Sequence, residues 1–278
     1  MASKQSIQLG HVQESLLIPL YARAADSLKK RPLLNDPKAV EMVQSIDWDF
    51  QRFNQWRRIM GCTLQTAAFD EWVKDFLSRH PEGTVVEIGA GLNTRFERLD
   101  NGQVHWFDLD LPDAVELRRK FFVDSGRRTT LAGSILDPGW MAAVRRSPGP
   151  YCFVAEAVFI YLKEQEVKAA LAQIAGNFPG ASIAFDTVPL PAIRYENKDH
   201  ARRKLEARFA WACDDPREIE RWNIGLRLVE SRTLKNIPDS LMSRLSFPVR
   251  AAVRVIARLF PKLTQAYRLN LFAGPPEA

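Results

Sequence analysis

Two glycines one residue apart, Gly89 and Gly91, follow an acid, Glu87, at the end of the apolar run Val85, Val86 and Ile88. Glycine is favoured where a backbone must turn sharply or come close to a ligand. About twenty residues further on, the segment Gln103-Val-His-Trp-Phe-Asp-Leu-Asp110 ends with Asp108 and Asp110. In a doubly wound sheet this spacing is a nucleotide site: the ligand crosses the first strand–helix turn, and an acid at the end of the next strand takes the ribose hydroxyls.

The residue types separate two kinds of nucleotide. A dinucleotide turn needs a third glycine, so that a helix N-terminus meets the pyrophosphate; here that place is Thr94. Glu87 would repel a pyrophosphate, yet it attracts a cationic amino-acid head. That combination fits S-adenosylmethionine, which has an ammonium and a sulfonium but no phosphate.

Glu87-Ile-Gly-Ala-Gly-Leu-Asn-Thr-Arg95 and Asp108-Leu-Asp-Leu-Pro112 resemble the leucine carboxyl methyltransferase family, in particular its bacterial polyketide O-methyltransferase branch. Ala155-Glu-Ala-Val-Phe-Ile-Tyr-Leu162 and Ser15-Leu-Leu-Ile-Pro-Leu-Tyr-Ala-Arg23 resemble two further segments of that family. The likeness runs from about residue 12 to about residue 188. It implies S-adenosylmethionine as cofactor and the roles that follow: Gly89 under the methionine part, with Gly91 also binding the cofactor, Asp110 (with Asp108 as the lesser candidate) on the ribose, and Ser134 and Ile135 beside the adenine. Glu87 and Glu156 would face the amino-acid end, and Arg23 would pair with its carboxylate. Many members carry an arginine shortly before the Phe69-Asp70 pair; Gln65 stands there in this chain.

The elements that must position these groups follow from the hydrophobic pattern. Strands are expected at 84–88, 103–108, 128–132, 151–155, 181–186, 225–233 and 266–272. Helices between them are expected at 94–99, 112–124, 138–146 and 163–177, with a last helical stretch at 239–260. Alternation of short apolar strands with helices implies an α/β fold with a parallel sheet; the resemblance makes it a class I methyltransferase Rossmann-like sheet of seven strands with helices on both faces. Ahead of the first strand come helical patterns at 12–30, after Asp36-Pro37, at 50–60 and at 63–79. The expectation is one methyltransferase domain over 1–278: a helical cover at 1–80, a core at 84–188 and 224–273, and a helical insertion at 189–223. Tyr195 and His200, in that insertion, are candidates for positioning the acceptor.

Composition narrows the partners. With 46% hydrophobic and 26% charged residues, the chain has the make-up of a globular protein with a sizeable core. Three scattered cysteines and four isolated histidines give no metal spacing, so no metal is expected. No apolar run reaches the roughly 18 residues of a membrane span, and no signal segment is evident, so a cytoplasmic location is expected. The net charge is +6, and residues 236–278 supply +4 of it, six Arg/Lys against Asp239 and Glu277. So local an excess is not a nucleic-acid-binding field. Arg250, Arg254 and Arg258 share a helical stripe, the pattern of a packed helix with a solvated face or of one resting on an anionic membrane.

Methyl transfer from a sulfonium is an in-line displacement in which positioning contributes about 7–11 kcal/mol. A carboxylate acceptor is ionised at neutral pH and needs no base, whereas a phenol profits from one. No histidine stands out as that base, which favours a carboxylate or an acidic hydroxyl as nucleophile; the resemblance implies a small-molecule acceptor of polyketide type. Two rival readings remain open on residues alone: a nicotinamide-dependent oxidoreductase and a non-catalytic S-adenosylmethionine-binding protein. A nucleic-acid N-methyltransferase would show an Asn/Asp-Pro-Pro-aromatic segment where Glu156-Ala-Val-Phe159 stands.

Overall fold

The computed structural model describes residues 14–202, 208–260 and 267–276. Its chain begins with helices α1 (Glu14–Ser27) and α2 (Pro37–Ser45), a 3-10 turn at Phe50–Phe53, and the long α3 (Trp56–Arg79). Asp36 caps α2 by accepting from the amide of Ala39, and Pro37 fills the first turn, where its missing N–H costs nothing. The two helices expected at 50–60 and 63–79 are corrected. Residues 54 and 55 break the chain after the 3-10 turn, and α3 then runs on through Gly61. A single glycine weakens a helix by only about 1 kcal/mol, less than the packing of Phe69, Val73 and Phe76 against the sheet returns.

Strand and helix then alternate: β1 (Thr84–Ile88), α4 (Arg95–Leu99), β2 (His105–Asp110), α5 (Pro112–Arg118), β3 (Arg128–Ala132), α6 (Met141–Val144), β4 (Tyr151–Ala155), α7 (Glu164–Asn177) and β5 (Ser182–Thr187). There follow α8 (Leu190–Arg202), β6 (Arg227–Arg232), α9 (Asp239–Arg244), α10 (Phe247–Leu259) and β7 (Arg268–Ala273). The expected helix at 239–260 is thus two: Leu245 and Ser246 are extended between them, and Pro248, in the first turn of α10, has no N–H to bond the carbonyl four residues back and so cannot continue α9. The expected helix at 112–124 ends at Arg118, whose side chain turns inward. Within the insertion, residues 203–207 lie outside the described residues.

The seven strands form one sheet in the order β3-β2-β1-β4-β5-β7-β6. The first five pair in parallel, and β7 runs antiparallel between β5 and β6. Successive strand residues point to opposite faces. Val86, Phe107, Phe153 and Phe185 pack with Leu171 and Ile174 of α7, while Val85, Trp106, Val154 and Ala184 pack with α3. A third cluster joins α1 and α2 to Leu92, Leu117 and Phe122, so the N-terminal helices rest against the turn that follows β1. On α10, Val253 is buried while Phe247, Val255 and Leu259 are exposed. Among the described residues no helix is long and apolar enough to cross a membrane.

Candidate functional site

The parallel strands β1, β2 and β4 end along one rim, where a cavity of about 740 Å³ opens. That size lies within the range of ligand clefts. Its floor is the turn Gly89–Asn93, together with Asp110, Ser134, Ile135, Glu156 and Ala157. Gly89 and Gly91 have φ of +64° and +45°, the left-handed region that a side chain disfavours. Space is short as well: a Cβ on Gly89 would lie 2.4 Å from Cγ2 of Val158, and one on Gly91 would lie 2.8 Å from Cδ2 of Leu16.

Asp110 holds the shape of this turn, accepting from the amides of Gly91 (2.6 Å) and Leu111 (2.7 Å) while facing the cavity. Burial raises its carboxyl above the ordinary range, and the two amides oppose that rise. Ser134 accepts from the amide of Leu136, which leaves its hydroxyl proton to donate.

Two acids at the same strand ends are placed elsewhere. Asp108 does not line the cavity and is corrected as a ligand contact. One pleat back from the rim, it is buried against Arg118 (2.9 Å), Arg128 (2.7 Å) and the indole of Trp106 (3.1 Å). Arg118 in turn donates to the carbonyls of Gly91 and Asn93, at 2.8 and 2.9 Å, so Asp108 acts on the turn from behind. Glu87, two residues short of Gly89, also lies under the floor and is corrected in the same way. It accepts from Arg95 and from Asn93 Nδ2 (3.0 Å). Its Oε2 has no partner, and burial, helped by the nearby Glu156 and Asp108, pushes its carboxyl up to about 7 against the charge and hydrogen bond of Arg95.

Arg95 is the centre of that arrangement. Fully buried at the start of α4, it reaches Asp70 of α3 (2.8 Å), Glu87 of β1 and Glu156 just beyond β4 (2.6 Å). Arg98 clasps the other side of Asp70 and reaches Asp36. Arg23 donates from Nε to Asp36 (3.1 Å) and from Nη2 to the Leu92 carbonyl (2.6 Å). Three guanidiniums, those of Arg23, Arg95 and Arg98, therefore face four carboxyls, Asp36, Asp70, Glu87 and Glu156, a set one acid in excess when all are ionised. Glu156, which also accepts from Thr66 (2.7 Å), is the acid of this set that lines the cavity, as Arg23 does among the guanidiniums.

Above the floor the walls are apolar and aromatic. Tyr161, Phe209 and Tyr267 pack with Ile160 and Ile193. α1 contributes Leu16 and Ile18, and α8 contributes Tyr195 and His200. Tyr195 is 68% exposed at the rim, whereas His200 is buried edge-on against Phe209. Arg58 of α3 bonds Asp199 at 2.6 Å and so ties α8 across the opening.

Sequence reasoning brought Arg23, Gly89, Gly91, Asp110, Ser134, Ile135, Glu156, Tyr195 and His200 to one cavity. It missed Arg95, Asp70, Asn93 and Tyr267. The signal for Arg95 was present: an arginine in the first turn of a helix closely following a buried strand needs acids around it.

Among the described residues no cluster of His, Cys, Asp and Glu could hold a metal ion. A sequence profile of the family described as leucine carboxyl methyltransferase matches residues 17–175. The chain is 32% identical over 267 residues to the tetracenomycin polyketide synthesis O-methyltransferase TcmP of Streptomyces glaucescens, covering 95% of this chain and 97% of that one. It is 28% identical over 252 residues to the S-adenosyl-L-methionine-dependent methyltransferase dpfgK of Gibberella zeae, covering 82% and 84%. A solved structure of a duf574 family protein from Streptomyces avermitilis shares the fold, with a TM-score of 0.61 at 14% identity over 96% of this chain and all of that one.

Proposed function

Because the chain belongs to the leucine carboxyl methyltransferase family, we propose that it is an S-adenosylmethionine-dependent O-methyltransferase whose acceptor is a small polyketide-type molecule with a carboxylate or an acidic hydroxyl. The observation that carries this reading is the single cavity that joins the Gly89–Asn93 floor to the aromatic chamber under α1 and α8.

The residues present fit the cofactor. Its ammonium would meet Glu156 and the unpartnered Oδ1 of Asn93, and its net positive charge would suit a floor built over an acid-rich cluster. Arg23 keeps Nη1 for the carboxylate, since its Nε and Nη2 are engaged. Asp110 retains lone pairs for ribose hydroxyls, and Ser134 and Ile135 line the adenine side. Bound there, S-adenosylmethionine supplies a methyl group on a positively charged sulfur. The chain's part is to hold the acceptor oxygen in line with that methyl group and keep water away, which the apolar walls do.

The nicotinamide reading lacks a place for its pyrophosphate. At the start of α4, Thr94 and Arg98 bond the carboxylate of Asp36, so an anion already occupies that position.

Calorimetric titration with S-adenosylmethionine tests the reading. Micromolar binding by the intact protein, lost in Asp110→Ala, is expected; absent binding in the intact protein would refute it. Product stability then assigns the acceptor group, since a methyl ester is cleaved by mild alkali and an ether is not.

A further inference from the structure

Tyr267 and Asp186 form a pair that the floor does not use. Asp186, near the end of β5, is buried, with Oδ1 accepting from the amide of Ala157 (2.6 Å) and Oδ2 from the hydroxyl of Tyr267 (2.6 Å). Tyr267, one residue before β7, lines the cavity and packs against the cluster of Ile160, Val188 and Ile193. Gln65 donates to its oxygen at 3.3 Å. A phenolic oxygen has two lone pairs, so one remains to accept from a group in the cavity. Ala157 fixes the pair beside the cofactor floor: it follows Glu156 directly and has φ of +57°. Such a conformation in a residue other than glycine persists only where surrounding structure enforces it.

On the methyltransferase reading above, we propose that Tyr267 is the catalytic base for a hydroxyl acceptor and that Asp186, acting through it, receives the proton. As the acceptor oxygen bonds to the methyl carbon, its O–H bond breaks and that proton passes to the Tyr267 oxygen. The proton of Tyr267 moves to Oδ2 of Asp186, while the carbon–sulfur bond breaks and sulfur keeps the electron pair as a neutral thioether. The pair thus offers a proton path distinct from His200, which lines the cavity packed edge-on against Phe209. It also selects the acceptor group: an anionic Asp186 behind Tyr267 favours an O–H donor there and repels a carboxylate.

The charged and titratable groups facing Asp186 are Glu156 at the end of β4, Tyr161 in the turn after it and Tyr267 before β7. Burial pushes the Asp186 carboxyl up to about 6, against the bonds from Tyr267 and Ala157. Base function therefore switches on as pH rises through that value.

The test uses the full chain, S-adenosylmethionine and 6-hydroxy-2-naphthoic acid, a probe with both a phenol and a carboxylate. Ether and ester products are separated by mass spectrometry after alkali. In wild type, ether formation should rise through about pH 6 and then level. Tyr267→Phe and Asp186→Asn should each lower it at least about 100-fold and remove that limb. Cofactor affinity should stay within about threefold, ester formation should be unchanged in Tyr267→Phe and unchanged or higher in Asp186→Asn, where the repulsion is gone, and Asp186→Glu should recover part of the rate. The proposal is overturned if Tyr267→Phe forms ether within about threefold of wild type, if ester and ether fall together, or if wild type makes ester alone or neither product. A wild-type protein that fails to bind S-adenosylmethionine refutes the cofactor reading first and this proposal with it.

Discussion

Replacing Arg95 by methionine removes the one cation shared by Asp70, Glu87 and Glu156 while keeping the apolar volume of its stem. The three acids do not suffer equally. Asp70 keeps both bonds from Arg98, at 2.9 and 3.0 Å. Glu156 keeps Thr66 and is partly exposed to the cavity. Glu87 keeps only Asn93, with its second oxygen still unpartnered. The cost is therefore mainly that of one buried carboxylate left without its cation, about 3–5 kcal/mol. An unfolding entropy of about 2.1 cal/mol/K per residue over 278 residues converts this to a melting temperature about 5–9 °C lower. Because the Glu87 carboxyl is already raised to about 7, protonation should relieve much of the loss in acid. At pH 5.5 the deficit should shrink to the lost hydrogen bonds, about 1–2 kcal/mol. Differential scanning calorimetry of both proteins at pH 8 and pH 5.5 measures it. A loss under about 2 °C at pH 8, or an equal loss at both values, would refute the reasoning.

Gly89→Ala should lower stability by about 2–3 kcal/mol, through the left-handed backbone and the collision with Val158, and weaken S-adenosylmethionine at least about tenfold. Adding Val158→Ala should restore part of the urea midpoint by removing the collision; no recovery at all would show that the collision is not the cause. For the unliganded wild type, Glu87 and Asp186 are raised to about 7 and about 6. Both carboxyls bind protons more tightly folded than unfolded, so the stability they contribute is complete below about pH 4 and is lost as pH rises through 6–7. The urea midpoint should be higher at pH 5.5 than at pH 8, and the reverse order would contradict these assignments.

The strands of the parallel half were legible because each is a short buried run with turn residues at both ends. β1, β3 and β4 lie where the pattern put them, and β2 is displaced by two residues. Helix limits were less so, since they depend on tertiary contacts such as the inward turn of Arg118. In the site, the glycine turn and Asp110 were readable because backbone geometry demands those residue types. Asp108 and Glu87 misled for one reason: an acid near a strand end serves a ligand or a buried cation according to which partner lies behind it. Those partners, Arg118, Arg128 and Arg95, come from other elements. Tyr267 and Asp186 meet only because β7 inserts beside β5, 81 residues apart in sequence, and no local pattern encodes that.

The position of β7 also governs the order in which the protein is completed during synthesis. β5 ends 81 residues before the start of the strand that pairs with its outer edge, and β6 finds its antiparallel partner only in that same late strand. Until β7 has emerged and threaded between them, the nascent chain presents an apolar strand edge of the kind that recruits other chains. Tyr267 arrives one residue ahead of β7, so the acceptor side of the cavity is the last part to form. A ribosome that stalls before this strand releases a chain that has its cofactor floor, lacks its base and is exposed to aggregation through β5.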